Sequence, residues 1–144
     1  MNNIFNNKDP LYIQIAQYFM FKIVNGELIP GERIPSRRKL ASILGVNVNT
    51  VQKALSELER KGLIVNEFGK PSYVQKDLLK IKEVRKILIN EALNSLLTEL
   101  EPLNVKYDEL VTIIKEKYNN NAKSSRIIKK STNSSKKNTG FYTR

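Results

Sequence analysis

Residues 45–55 read GVNVNTVQKAL, with apolar residues at helical spacing and Asn49, Thr50, Gln52 and Lys53 on the opposite face. Three of those four side chains are neutral donors and acceptors, and the fourth is a cation. Just upstream, PSRRKLASIL opens a second short helix with Arg37 and Arg38. Amides and hydroxyls in a row can read base edges or hold phosphate oxygens. Arginines at the positive end of a helix are badly placed unless an anion sits there. Bond-making chemistry fits poorly. The sequence contains no histidine and no cysteine, which removes His/Cys zinc sites, cysteine nucleophiles and Ser–His pairs. No lysine sits in a recognisable cofactor motif, so the expectation is a protein that is not an enzyme and needs no cofactor or metal.

The elements that position these residues follow from local signals. Asp9-Pro10 suits a helix start, with the carboxylate at the N-cap and proline in the first turn. Leu11, Ile15, Phe19 and Ile23 recur at four-residue spacing, which predicts a first helix over about residues 10–25, ended by Asn25-Gly26. Pro30-Gly31 suits a turn, and Pro35 keeps Arg33-Ile34 out of a helix. Ser36 can cap a helix over 37–44 with Leu40, Ile43 and Leu44 inward, and Gly45 ends it. Asn47 can cap a third helix over about 48–61, whose inward face holds Val48, Val51, Leu55 and Leu58. LIVNE and SYV then read as two short strands around FGKP, a hairpin with glycine and proline at its tip. Three helices, a short glycine turn between the last two, and a hairpin make a winged helix-turn-helix. Its second motif helix enters the DNA major groove, which accounts for the polar face of residues 49–53.

Beyond residue 76 the pattern changes. Ile81, Val84, Leu88, Ala92 and Leu96 form a long stripe widened by Leu93, Leu97 and Leu100; EPLNV interrupts it. Tyr107, Leu110, Val111, Ile114 and Tyr118 form a second stripe, with Asp108 and Glu109 suited to the start of its helix. Two helices of this size cannot cover such wide faces alone. The stripes therefore predict either self-association through Val84, Leu88, Leu96, Leu100, Leu110 and Ile114, or a patch covering the first domain. From residue 119 Asn, Ser, Thr and Lys dominate, which predicts disorder. The expected organisation is a DNA-binding domain over 1–76, a two-helix dimerisation region over 77–118 and a basic tail over 119–144. The fold class is mainly α.

Charge follows the same divisions. Residues 1–76 carry 11 Lys/Arg against 6 Asp/Glu, residues 77–118 carry 7 against 8, and residues 119–144 carry 7 against none. A basic front and tail around a neutral middle point to a polyanion partner and a separate assembly module. No apolar run reaches the roughly 18 residues of a membrane span, and the first ten residues lack the layout of a signal peptide. The expectation is a cytoplasmic protein with no membrane partner.

Residues 10–74 resemble the DNA-binding domain of the GntR family of bacterial transcription regulators. The likeness lies in GELIPGERIPSRRKLASILGVNVNTVQKALSELERKGLI, with the elements G-E-L-x-P-G-x-x-[IL]-P-S-x-R and G-V-N-x-N-T-V-x-x-A-L-x-E-L. The short two-helix end resembles the YtrA branch, which lacks a large effector-binding domain and commonly regulates transporter operons. The resemblance implies DNA contacts at Arg38, at Asn47, Asn49, Thr50 and Gln52, and at Gly69 in the wing. Lys53 and Lys70 suit phosphates rather than bases; Arg37 and Lys39 either face DNA or are solvated. Val48 stands where some branches place a base-reading arginine, and it either covers the core edge or touches a thymine methyl. The expected partners are double-stranded DNA and a second copy of the chain, on a palindromic operator. A small-molecule effector has little enclosed volume to occupy. The rival reading is a DNA-binding protein with no regulatory switch, architectural or replication-associated.

Overall fold

A computed structural model describes residues 5–132, with side chains described through residue 124. The chain forms α1 (Leu11–Val24), α2 (Arg37–Leu44), α3 (Val48–Arg60), β1 (Ile64–Val65), β2 (Tyr73–Val74), α4 (Leu78–Leu100), a 3-10 turn (Glu101–Leu103) and α5 (Tyr107–Thr132). It divides into two compact units, the first ending at Leu88 and the second beginning at Ile89.

In the first unit α1 and α2 pack on α3. Ile15, Phe19 and Ile23 of α1, Leu40 of α2, and Val51, Leu55 and Leu58 of α3 are all buried. Leu28 and Ile34 from the connecting loop, and Leu63, Ile64 and Val74 around the hairpin, close the same core. The α2–α3 turn is made by its caps. Ser36 Oγ accepts from the Lys39 backbone N–H (3.2 Å), and Gly45 ends α2 at φ 66°, a left-handed conformation natural to glycine. Asn47 Oδ1 accepts from the Asn49 N–H at 2.8 Å and opens α3.

Several boundaries differ from the sequence expectation. The N-cap of α1 is Pro10, not Asp9, and no side chain caps it. The Gln14 amide instead reaches back to the carbonyls of Asn6 (2.9 Å) and Asp9 (2.8 Å), holding the preceding segment in a bend. The two inward residues at the motif's edges are partly exposed: Ile43 at 37% and Val48 at 40%. An eight-residue helix has room for one narrow inward face, filled by Leu40, Ala41 and Leu44. Val48 is the first residue of α3 and ends the apolar stripe rather than lying within it. The wing strands shorten to two residues each, with Ile64 opposite Val74 and Val65 opposite Tyr73. A third segment supports them: Arg33 bridges Tyr73, Ile34 N–H donates to Ser72 O (2.8 Å), and Val74 N–H donates to Glu32 O (2.9 Å).

The start of α4 belongs to the first unit. Ile81 is buried in its core, and Val84 and Leu88 pack half-buried against it. The apolar stripe predicts Val84 and Leu88 at a self-association face; in the structure they pack against the core of their own domain, because the first turns of α4 fall within reach of it.

The second unit holds the rest of α4, the 3-10 turn and α5. Pro102 breaks the helix there, and Asn104 takes the left-handed conformation at φ 49° that ends the turn. Among its described residues none is buried; Leu100, Leu110 and Val111 are half-buried, and Leu93, Leu96, Leu97 and Ile114 remain exposed. Helix α5 runs to Thr132, past residue 119 where composition predicts disorder. Neither proline nor glycine occurs between Tyr107 and Thr132, and extending a nucleated helix costs far less than starting one. Residues 133–144 of the expected tail lie outside the described residues.

Candidate nucleic-acid interface

The residues singled out by type occupy three neighbouring elements of the first unit. Arg37 and Arg38 form the first turn of α2, both exposed and, among the described residues, with no carboxylate paired to either. Two unpaired cations at a helix's positive end form a site short of an anion. Asn47 and Asn49 at the start of α3 are exposed, Thr50 is half-buried, and Lys53 one turn on is exposed. The Lys53 ammonium lies 6.0 Å from the Tyr12 ring centroid of α1, a cation–π contact that aims a flexible cation.

Gln52 is placed differently from its neighbours. It is half-buried, and its Nε2 donates to Ser56 Oγ at 3.1 Å along the same helix face. Its Oε1 is shielded and, among the described residues, has no hydrogen-bond partner. An unsatisfied amide oxygen is a standing penalty that an incoming donor would relieve.

In the wing, the Lys70 N–H donates to Glu67 O at 3.1 Å, closing a four-residue turn across Phe68-Gly69. Gly69 has φ 72°, while Phe68 has an ordinary negative φ, so the turn is of type II and needs its glycine. The Lys70 ammonium pairs with the Glu67 carboxylate. That hydrogen bond holds the Glu67 carboxyl below the usual carboxylate range and raises Lys70. Lys70, expected at a phosphate, is thus partly neutralised by its neighbour.

The wing and α2 face each other across an open groove of about 680 Å³. Arg33, Arg37 and Arg38 line one side and Phe68, Gly69 and Lys70 the other. With Glu67 the only acidic lining residue, the groove is strongly cationic. The fold therefore unites four of the expected contacts (Arg37, Arg38, Gly69 and Lys70) in one feature. Asn47, Asn49, Thr50, Gln52 and Lys53 stand apart from it along α3.

These are the parts of a winged helix-turn-helix: a polar helix face, a cationic helix start beside it, and a hairpin ending in a glycine turn. Residues 11–74, which hold all of them up to the end of β2, match the family model of bacterial regulatory proteins, gntR family. The uncharacterised HTH-type transcriptional regulator YhcF of Bacillus subtilis is 31% identical over 115 residues, covering 80% of this chain and 95% of that protein. The chain belongs to the gntR family. A second relative of this GntR protein, the HTH-type transcriptional repressor YtrA of Bacillus subtilis, is 35% identical over 108 residues, covering 74% of this chain and 83% of the relative. Among solved structures, a GntR family transcriptional regulator from Listeria monocytogenes superposes with a TM-score of 0.73 at 28% identity. That alignment covers 78% of this chain and 98% of the other. This GntR protein is a DNA-binding transcription regulator and not an enzyme. Among its described residues no helix is long and apolar enough to cross a membrane.

Two features of this candidate interface do not stand out by residue type and spacing alone. Arg33 lies in a loop with no periodicity, and only its pairing with Tyr73 brings it beside the arginines of α2. Phe68 is fully exposed at the wing tip. The signal was present in sequence: an aromatic between turn residues, in EFGKP, has no apolar neighbour to pack on.

Proposed function

We propose that this chain is a homodimeric repressor that binds a palindromic operator in the cytoplasm, that of a transporter operon. The observation that carries the DNA-docking geometry is the cationic groove uniting the α2 arginines with the wing tip beside the polar start of α3. In this reading α3 enters the major groove. Asn49, Thr50 and Gln52 meet base edges. Arg37, Arg38, Asn47 and Lys53 hold the flanking phosphates. Gly69 and Lys70 carry the wing into the adjacent minor groove. The dimer is supported by the second unit, whose described apolar side chains are at most half-buried by their own chain. Leu96, Leu100, Leu110 and Ile114 complete their burial against a second copy, as isologous interfaces do. Repression is supported by the likeness to YtrA, a transcriptional repressor.

Selection of bound sequences from a random duplex pool tests the whole reading. The expected result is an inverted repeat with half-sites about one helical turn apart. A flat profile would overturn it and favour an architectural DNA-binding protein.

A further inference from the structure

We propose that Phe68 is a minor-groove wedge, an apolar side chain that inserts at a base step beside each half-site and selects steps that unstack easily. The inference rests on the docking just described and deepens it. Phe68 has 107% relative exposure, so its ring contributes nothing to the packing of its own domain. The turn does not require it: the position before Gly69 in a type II turn accepts most residues and favours proline. A ring at the apex of a hairpin, in water, is therefore explained by something that meets the hairpin.

The surroundings name the partner. Lys70 is two residues along, and Arg33, Arg37 and Arg38 line the same groove. A cationic rim around an exposed ring fits a phosphate-walled cleft whose base steps can open to offer apolar base faces, which describes the minor groove between its backbones. A second copy of this chain would bring its own cations to that rim and be repelled. Gly69 lets the backbone turn sharply behind the ring and has no atom within 4 Å of where a Cβ would stand, leaving the approach open. Lys70 and the arginines would grip phosphates on either side while the ring enters between them. Apolar wedges of this kind partly unstack one step and kink the duplex, and pyrimidine–purine steps yield most readily. The consequence is sequence preference outside the bases that α3 touches.

The test uses the full chain and the operator obtained from the random pool, with 2-aminopurine at the flanking step and a donor–acceptor pair on the duplex ends. Binding of the parent should raise 2-aminopurine fluorescence and shorten the end-to-end distance. Phe68→Ala should abolish both signals and weaken binding about 10-fold, within the range for losing one aromatic–base contact. It should also erase the preference at the flanking step while keeping the half-site sequence. Phe68→Leu, still apolar, should keep part of the fluorescence rise. A Phe68→Ala protein that binds, bends and brightens the operator as the parent does would overturn the wedge and leave the docking intact. So would a Phe68→Ala protein whose only change is its assembly state, which would make the tip a contact between copies. A parent with no preferred operator would overturn the docking and the wedge together.

Discussion

Replacing Leu96 with aspartate puts the assembly proposal at risk. Leu93, Leu96, Leu97 and Ile114 keep 45, 39, 47 and 36% of their surface exposed within one chain. Burying a whole leucine or isoleucine is worth about 1.5–3 kcal/mol, so covering the remaining roughly 40% adds on the order of 0.6–1.2 kcal/mol each. Four such residues on each of two copies supply about 5–10 kcal/mol, comparable to the roughly 4–15 kcal/mol entropic cost of association. The interface therefore has little surplus, and a single charge can undo it. An ionised Leu96→Asp side chain on each copy loses its apolar contribution and adds a desolvation penalty of several kcal/mol per carboxylate. Burial disfavours the charged form, so the aspartate's pKa rises in the dimer above its ordinary value of about 3.9. The dimer it blocks at neutral pH should then return as the pH falls through that value. Sedimentation equilibrium at neutral and acid pH reads both effects, with circular dichroism to follow the first unit. The parent should be a dimer at micromolar concentration and the variant a monomer with its winged domain folded. A monomeric parent, or a variant that still dimerises at neutral pH, would show that these faces are covered in another way.

Arg38→Ala and Asn49→Ala should each weaken operator binding by roughly 1–3 kcal/mol in a titration by fluorescence anisotropy, with unchanged circular dichroism; parent-like binding by both would refute the docking. Glu67→Gln should strengthen binding, because it frees Lys70 and removes the one acidic side chain lining the groove, and should steepen the salt dependence by about one charge. In the parent the Glu67–Lys70 pair persists at neutral pH and is lost only as pH falls through the depressed Glu67 pKa, so binding that already strengthens from neutral to mildly acid pH would contradict this role. Removing residues 119–144, which carry 7 Lys/Arg, should lower the slope of log K against log salt by roughly 3 if three or four charges reach phosphates, leaving the selected operator unchanged. Leu58→Ala, at a side chain 1% exposed, should lower unfolding free energy by about 2–5 kcal/mol in urea titrations.

What the sequence disclosed depended on how far a signal travels along the chain. Ser36, Gly45 and Asn47 act on backbone groups two to four residues away, and their helices begin and end where those residues place them. Asp9 failed as a cap because a longer reach, from Gln14 back to Asn6, decides the local backbone. Val84 and Leu88 sit on the same apolar stripe as Leu96, and periodicity cannot tell a residue over its own core from one awaiting a partner. The cationic groove was the least legible feature. Its walls, Arg38 and Lys70, are separated by the whole of α3 and half the hairpin, and pairing between residues 31–34 and 72–74 draws them together.

A second unit with no buried side chain among its described residues also bears on how the protein responds to its own abundance. Such a unit draws its stability from whatever covers it, so for an obligate pair folding and assembly become one concentration-dependent equilibrium. Newly made chains below the pairing threshold would expose their apolar stripes to proteases, while paired chains would be protected. Operator occupancy would then climb with the square of chain concentration rather than in proportion to it. A regulator built this way converts a modest change in its own synthesis rate into a sharper change in output, with no ligand required.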